Sequence, residues 1–268
     1  MKIPQVLRYS IDIVSVTVVL GVLSFQLCAL FLHWPWYIFV LVLLPVRQLH
    51  LVEHNHAHLP LFNNSMLNEL LGWMCFLSNG VPLEFYEIHH VRNHHRYNQR
   101  FDTEAQDWSS LFGFARTRFP DQPIGRLYYI LTFPIITTCH CLIEILRAPG
   151  SRLYLRFTRS TAVISLVSAI LIWVDFWRFG WFFLVPWVVV FFSLGANNYN
   201  HHHGCQMATP FDSANVNLRS HCRSFGFNIG YHVAHHLSPG LHWSKLPDAH
   251  ESIQSQIPRK NFVGPLFL

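Results

Sequence analysis

Residues 13–46 read IVSVTVVLGVLSFQLCALFLHWPWYIFVLVLLPV, and no aspartate, glutamate, lysine or arginine interrupts them. A single membrane-spanning helix needs about 20 residues, so this stretch is too long for one crossing. His33-Trp34-Pro35-Trp36 divides it near the middle, where proline breaks a helix and tryptophan favours the membrane–water interface. The stretch therefore predicts a transmembrane hairpin with spans at about 11–32 and 36–51.

A second pair of apolar segments lies later in the chain. Ser160–Val174 and Phe179–Ala196 contain no charged side chain, and Asp175-Phe-Trp-Arg178 forms a polar tip between them. This pattern predicts a second hairpin, with spans at about 160–176 and 179–196.

Two apolar segments between the hairpins are short or limited by proline. Ser65–Leu83 contains Pro82, and Leu127–Leu146 contains Pro134. We interpret both as helices lying among the lipid headgroups. Leu127–Leu146 is also long enough for a further span, but one added crossing would put the later histidine clusters on the opposite side of the membrane.

The cationic residues are distributed asymmetrically about the predicted spans. Of the 19 lysines and arginines, Arg178 alone falls at a predicted outer tip. Because cationic loops favour the cytosolic side, four spans with both termini in the cytosol satisfy this distribution. We expect an all-α, multi-pass membrane protein that forms one domain over residues 1–268, with a cytosolic helical cap at 52–159 and 197–247.

The composition agrees with a membrane protein and argues against other classes. Charged residues make up 12% of the chain, against about 25% in soluble domains. The net charge of +5 is modest and there is no basic run, so we expect membrane lipids and no nucleic acid as partners. The six cysteines form no CxxC pair and suggest no disulfide framework.

Histidine is concentrated in four short clusters. The chain has 19 histidines, and 13 of them lie within 54–58, 89–95, 201–203 and 232–236. A neutral imidazole is a good ligand for iron, copper or zinc. Nine plausible ligands exceed what one tetrahedral ion uses, which favours two ions with open positions. These nine are His54, His58, His90, His94, His95, His202, His232, His235 and His236.

Helical spacing suggests how the first two clusters present their ligands. His54 and His58 lie four residues apart, on one face of a helix. His90 and His94 have the same spacing. Adjacent residues diverge by about 100° on an α-helix, so we expect His94 and His95 to serve two different ions.

The third and fourth clusters combine histidine with one asparagine. Asn198 lies four residues before His202, and we expect Asn198 to hold a metal-bound water or to orient a ligand. The fourth cluster has the pattern HxxHH at 232–236. The sequence assigns no role to His56, His89, His201 or His203. Carboxylates that are candidates for orienting the ligands are Glu53, Glu84, Glu87, Asp102, Glu104 and Asp107.

The order HxxxH, HxxxHH, Asn-x-x-x-His and HxxHH around two hairpins resembles the membrane fatty acid desaturase/hydroxylase superfamily. The segments His58–Gly72 and Asn228–Pro247 resemble blocks of that family, and the likeness covers residues 50–247. The resemblance implies a histidine-bound centre of two Fe ions (Fe2+/Fe3+), O2 as co-substrate and oxidation of a C–H bond in a lipid or fatty acyl chain. The chain departs from the family at Asn55, where many members carry Asp.

Turnover of such a centre consumes electrons from outside the chain. The sequence has no four-cysteine iron–sulfur pattern, haem-binding His-Pro-Gly-Gly or dinucleotide glycine fingerprint. We therefore expect a separate electron donor such as ferredoxin, rubredoxin or cytochrome b5, docking on a basic cytosolic face. The arginines expected on that face are Arg92, Arg96, Arg100, Arg116 and Arg118.

Fatty acid desaturation is the function that the resemblance favours. A hydroxylase, a carotenoid ketolase or hydroxylase, an acetylenase and an oxidative fatty acid decarboxylase remain open on the same scaffold. A metal transporter needs polar ligands inside its spans, whereas these histidines cluster outside them. A metal-binding membrane scaffold without catalysis is the remaining alternative.

Overall fold

The computed structural model describes residues 6–111, 123–223 and 225–263. Within these residues the chain is helical, and extended pairing is confined to isolated bridges. The main helices are α1 (Ile13–Phe31), α2 (Val40–His58), α3 (Ser65–Asn79), α4 (Pro123–Leu146), α5 (Arg152–Val174), α6 (Val185–His202), α7 (His232–Leu237) and α8 (Leu246–Ile253). Shorter α-helical segments are Leu83–Phe85, His95–Tyr97, Phe176–Phe179 and Ser220–Arg223, and two π-helical segments are Tyr86–His94 and Gly180–Leu184.

Five helical segments of the described residues are long and apolar enough to cross a membrane. They are Ser10–Phe31, Trp36–His58, Gly125–Leu146, Arg152–Val174 and Phe176–His202. Four of these correspond to the predicted hairpin helices, and the fifth is the segment for which the sequence left a further span open. The second and last segments extend beyond the predicted spans and end in the first and third histidine clusters.

Pro134 lies inside α4 and does not end it, so the break expected at this proline is wrong. Proline lacks the amide that would bond to the carbonyl four positions earlier, at Ile130. That carbonyl lies against Gly195 of α6, where an added Cβ would meet the Ile130 oxygen at 2.9 Å. The absent side chain at Gly195 therefore lets α6 approach the carbonyl that Pro134 leaves open.

The chain divides into two compact units. Unit 1 comprises Met1–Tyr86 and Ile143–Phe191, and unit 2 comprises Glu87–Leu142 and Phe192–Leu268. In unit 1, α3 packs against α1, α2 and α5. The buried core of unit 1 includes Ala29, Leu30, Leu77, Ile164, Leu171, Phe179, Phe182 and Phe183.

A buried glutamine in α1 ties three helical segments of unit 1 together. Gln26 is fully buried, and its Nε2 donates to the carbonyls of Ser78 at 3.0 Å and Phe182 at 2.8 Å. Phe182 belongs to the π-helical segment Gly180–Leu184, where the ordinary i→i+4 bonding is interrupted. Gln26 therefore links α1 to α3 and to this π-helical segment through two backbone carbonyls.

The two hairpin tips of unit 1 are joined by polar contacts. Arg178 donates to the carbonyls of His33 at 3.0 Å and Trp34 at 3.1 Å, and it pairs with Asp175 at 2.6 Å. Exposed aromatic rings of the kind that favours the membrane–water interface surround these tips. They are Trp36, Tyr37, Trp173, Phe176 and Trp177. The tips therefore carry the polar and aromatic side chains that are typical of a membrane–water interface.

Unit 2 folds its C-terminal segments around α7. Val233 of α7 is fully buried in a cluster with Ala214, Val216 and Ile257. Directly before α7, Gly230 lies so close to the Asn217 carbonyl that an added Cβ would overlap it. This close approach requires glycine and fixes where the fourth histidine cluster begins.

Candidate metal centre

The second histidine cluster is built on the π-helix Tyr86–His94. A π-helix closes i→i+5 hydrogen bonds and has more residues in each turn than an α-helix, so residues four and five positions apart can both lie on one face. The Nε2 atoms of His90 and His95 accordingly lie 3.1 Å apart. His94 instead joins a different group of histidines. The ring of His90 also stacks on that of His94, with centroids 5.3 Å apart, but the ligand atom of His90 groups with that of His95, and His94 belongs to the other group.

Four histidines from three of the sequence clusters converge within unit 2. They are His94 from the π-helix, His202 at the end of α6, and His232 and His236 on α7; we call them the His94 cluster. One possible ligand atom from each lies within 4.8 Å of the others. Metal–nitrogen bonds of about 2.1 Å place neighbouring ligand atoms ~3–4 Å apart. The cluster therefore has nearly the dimensions of a single-ion site.

Hydrogen bonds behind two of these rings fix which nitrogen faces inward. Nδ1–H of His202 donates to the Ser213 carbonyl at 2.9 Å. Nδ1–H of His94 donates to Oδ2 of Asp107 at 2.8 Å. Each bond leaves Nε2 with a lone pair for a metal ion.

The inward nitrogens of the His94 cluster provide a test of whether a metal fits. Among the described residues, the Nε2 atoms of His94, His202 and His236 are buried without a hydrogen-bond partner, and so is Nδ1 of His232. Buried polar atoms without partners are costly in a folded protein. Four of them on rings that already converge is the arrangement that a bound cation would satisfy. The donor set therefore fits a metal ion.

The surroundings keep these imidazoles neutral. Burial lowers the pKa of His232 well below its ordinary value, and His201 and His236 lower it further. Burial also lowers the pKa of His236, with His95 as the next cause. Because an imidazole ligates a metal only when it is neutral, both pKa shifts favour a metal over a proton at neutral pH.

Asp107 is the carboxylate behind His94, and its side chain is fully buried. Its Oδ1 accepts from the amide and the hydroxyl of Ser109, at 2.8 Å and 2.5 Å, and its Oδ2 accepts from the Gln99 amide at 2.7 Å. Burial alone would raise the pKa of the Asp107 carboxyl, but His94 and Ser109 hold that pKa well below its usual range. Asp107 therefore faces His94 as an ionised acceptor.

Three further histidines of unit 2 form a second group, which we call the His95 cluster. The Nε2 atom of His95 lies 3.1 Å from that of His90 and 2.9 Å from that of His235. The ring of His95 also stacks on His236 of the His94 cluster, with centroids 4.5 Å apart. The two groups therefore adjoin, as the ligands of two neighbouring ions must.

The first histidine cluster lies on α2 in unit 1. The ring centroids of His54 and His58 are 5.1 Å apart, as expected for residues one turn apart on a helix. Nδ1 of His54 lies 3.1 Å from Oδ1 of Asn55, so Asn55 supplies a neutral acceptor. His56 has a structural role, because its Nδ1 accepts from the Leu61 amide at 3.2 Å in the turn after α2.

Comparison with known proteins identifies the family. The family model described as fatty acid desaturase matches residues 29–263 of the chain. The chain belongs to this family. Two relatives named omega-6 fatty acid desaturase, chloroplastic, from Arabidopsis thaliana and Brassica napus, are each 23% identical to it over 253 residues. The match covers 82% of this chain and 54% or 55% of the relatives, so the chain spans about half their length. No solved structure matches it significantly.

Family membership and the five span-length helices together identify an integral membrane protein. The histidine groups are consistent with iron binding.

Asn198 of this desaturase family member contacts the residues that support His94. Its Nδ2 donates to the Tyr129 hydroxyl at 2.5 Å and to the Ser109 carbonyl at 3.3 Å. The Tyr129 hydroxyl in turn donates to the same Ser109 carbonyl at 2.7 Å. Spacing along the chain suggested Asn198, but nothing in the sequence pointed to Ser109 or Tyr129, which meet it only through the fold.

The histidines without a predicted role lie at the edges of the two groups. Burial lowers the pKa of His89 to about 3, and its Nε2 is buried outside both groups. His201 stacks on His232 with centroids 4.0 Å apart. His203 packs against the Tyr199 ring at 4.7 Å.

Two of the other candidate carboxylates have structural partners. Glu53 is buried and accepts from Nδ2 of Asn79 at 2.6 Å. Asp102 pairs with Arg100 at 2.9 Å on the surface of unit 2. Asp107, in contrast, accepts a hydrogen bond from His94, a member of the His94 cluster.

Three arginines of the expected basic face are exposed on unit 2. Arg92 and Arg96 lie four residues apart at the second histidine cluster, and Arg100 follows them. The guanidinium of Arg96 lies 5.3 Å from the Tyr97 ring centroid. The other two expected members, Arg116 and Arg118, lie outside the described residues.

Proposed function

We propose that this protein is a membrane di-iron desaturase that introduces a double bond into a fatty acyl chain. The overall reaction removes two hydrogens from a –CH2–CH2– unit and reduces O2 to two waters, with two electrons and two protons from outside. The observation that carries the proposal is the convergence of His94, His202, His232 and His236, with their inward nitrogens unpaired, in a chain of the fatty acid desaturase family.

The histidine groups suggest how two iron ions would be held. The His94 cluster would hold one ion and the His95 cluster the other, and we propose that His54 and His58 supply further ligands to this pair. When bound, the iron supplies the reduction of O2 to an oxidant that breaks an unactivated C–H bond. The protein's own contribution is to keep the imidazoles neutral and to fix which nitrogen of each ring faces inward.

Four membrane crossings fit the geometry better than five. His94 precedes α4 in the chain, whereas His202, His232 and His236 follow α6, yet all four meet on one side. An even number of crossings must therefore separate them, although Gly125–Leu146, Arg152–Val174 and Phe176–His202 all have sufficient length.

Contacts along α4 support the proposal that this helix is the one that does not cross. Its Tyr129 hydroxyl donates to the Ser109 carbonyl at 2.7 Å, and its His140 ring stacks on Trp108 at 4.7 Å. Two points of α4 eleven residues apart thus lie against consecutive residues of one loop beside the second histidine cluster. We propose that α4 lies along the membrane surface, with the site and both termini in the cytosol. A cysteine introduced at Gly150 should then react with impermeant reagents from the same side as one at Arg96.

The electron donor is proposed to be a separate acidic carrier such as ferredoxin, rubredoxin or cytochrome b5. The exposed Arg92 and Arg96 sit on the helical segment that carries the second cluster, which would bring a docked donor close to the ions. Docking of this kind should weaken as ionic strength rises.

The test compares a ligand variant with a histidine control. The wild type, His94→Ala and His33→Asn are expressed in a host with a simple lipid profile, and fatty acids, hydrocarbons and carotenoids are analysed by mass spectrometry alongside protein-bound iron. His33 is mostly exposed at a hairpin tip, and asparagine tolerates its positive φ of 55°. We expect a new acyl double bond with the wild type and with His33→Asn, and at least a 100-fold loss of product with His94→Ala.

Other outcomes would select other functions. Full product formation by His94→Ala would show that the cluster is dispensable and contradict the proposal. If the product were a hydroxylated acyl chain, a hydrocarbon or an oxidised carotenoid, without an acyl alkene, the proposed iron site would stand but the reaction would not be desaturation. Iron flux into vesicles without product would favour a transporter.

A further inference from the structure

The loop after the second histidine cluster is folded around one carboxylate. The Asp107 side chain is completely buried. It accepts four hydrogen bonds, from the Gln99 amide, from the amide and the hydroxyl of Ser109, and from Nδ1 of His94. A buried carboxylate that is fully hydrogen-bonded has little freedom to rotate. Its position is therefore determined by the loop and not by solvent.

The loop adopts a strained backbone to make these contacts. Asn98 and Gln99 both have positive φ, 44° and 67°, a conformation that non-glycine residues rarely adopt. Two such residues in succession turn the chain so that the Gln99 amide points at Asp107, at 2.7 Å. Strain of this kind persists only where the surrounding structure holds it in place. Ser110 does so by donating its hydroxyl to the Gln99 carbonyl at 2.5 Å.

The carboxylate and a hydroxyl together constrain the His94 ring. Nδ1 of His94 lies 2.8 Å from Oδ2 of Asp107 and 2.9 Å from Oγ of Ser109. Because the Ser109 hydroxyl donates to Asp107, its oxygen accepts from the same Nδ1–H. Nδ1 must carry the proton to satisfy both acceptors, which leaves Nε2 as the metal-binding nitrogen.

The same loop is fastened to the helix that carries another member of the His94 cluster. The Ser109 carbonyl accepts from the Tyr129 hydroxyl and from Nδ2 of Asn198. Asn198 lies one turn before His202 on α6. The network therefore relates the position of His94 to that of His202.

We propose that Asp107 is a positioning residue that holds His94 in its metal-binding tautomer and orientation. This inference rests on the proposed two-iron site and adds a determinant of one of its two positions. Removing the charge of the Asp107 carboxylate should weaken the binding of one ion about 10–100-fold, which is the usual effect of losing a hydrogen-bond partner behind a ligand histidine. The other ion should be retained.

The test uses purified full-length protein loaded with ⁵⁷Fe. The variants are Asp107→Asn and the milder Ser109→Ala, with Asp102→Asn as a control that removes the same charge from the same loop. Asp102 accepts from the Glu104 and Ala105 amides and from Arg100, so its contacts are local. Iron per chain, the Mössbauer spectrum and the melting temperature are measured for each.

The expected result is a change at one iron position only. In Asp107→Asn, the iron content should fall from two ions per chain toward one, and one of the two Mössbauer signals should change. Ser109→Ala should shift the same signal less. Asp102→Asn should match the wild type in both measurements. Unchanged iron binding in Asp107→Asn, or loss of both irons together with a collapse of the melting temperature, would overturn the inference. If the wild-type protein binds no iron, that result would instead contradict the proposed function.

Discussion

Replacing Gly195 with alanine tests how closely α6 must approach α4. The added Cβ would lie 2.9 Å from the Ile130 carbonyl oxygen and 3.1 Å from its Cα, whereas ordinary contact begins at 3.4 Å. Both atoms are backbone, so the helices must separate by about half an ångström. Overpacking of this kind costs ~1–3 kcal/mol, and the better helix propensity of alanine offsets about 1 kcal/mol. We expect a net destabilisation of up to about 2 kcal/mol.

The displacement should also reach the metal centre. His202 lies about two turns beyond Gly195 on α6, and functional sites tolerate displacements of only about 0.5 Å. Gly21→Ala is the matched control, because it also lies in a span-length helix and an added Cβ there meets nothing within 4 Å. Thermal unfolding in detergent and bound iron per chain are the measurements. If Gly195→Ala matches Gly21→Ala in both, the close approach of α4 and α6 has no role in the site.

Three further predictions follow from single contacts. Gln26→Leu removes two hydrogen bonds inside unit 1, one of them to Phe182, and should cost about 1 kcal/mol of stability. The melting temperature should fall by a few degrees, and an unchanged melting temperature would show that these carbonyls need no donor. Asn55→Asp should tighten metal binding by up to about 10-fold, because a carboxylate is a stronger acceptor than an amide for Nδ1–H of His54. Chelator competition measures this affinity, and weaker binding in the variant would contradict the prediction. The free energy of unfolding of the metal-free protein should decrease as pH falls from 6.5 toward 3. Burial lowers the pKa of His89 in the folded protein to about 3, whereas the same histidine in the unfolded chain takes up a proton near pH 6.5. In denaturant titrations, His89→Gln should show a weaker dependence of this free energy on pH.

The membrane helices were predictable because their signal is local. An uncharged stretch divided by His33-Trp34-Pro35-Trp36 can bury its backbone in lipid only as two helices. Pro134 misled the prediction because its effect depends on a distant partner. The carbonyl that it frees at Ile130 is approached by Gly195, 65 residues later in the chain, and α4 continues through the proline.

The candidate ligands were predictable as a set but not in their pairing. Helical spacing assumes an α-helix, but the second cluster lies on a π-helix, where the His90 ring has both His94, at 5.3 Å, and His95, at 4.6 Å, beside it. The supporting residues were harder still. Asp107 was one of six candidate carboxylates, and it meets His94 beyond the turn at Asn98 and Gln99, which the sequence does not reveal.

The departures from regular local structure gather in unit 2, and their placement suggests a common cause. Among the described residues, five of the six non-glycine residues with positive φ lie there: Asn98, Gln99, Met207, Phe227 and Asn228. One consecutive pair directly follows the second histidine cluster, and the other shortly precedes the fourth. Each strained residue costs about 1–3 kcal/mol, and hydrophobic burial could be achieved without them. A chain that retains this strain beside convergent, unpaired imidazoles is best understood as organised for a ligand whose binding energy offsets it, and the nitrogens of the His94 cluster indicate that this ligand is a metal ion.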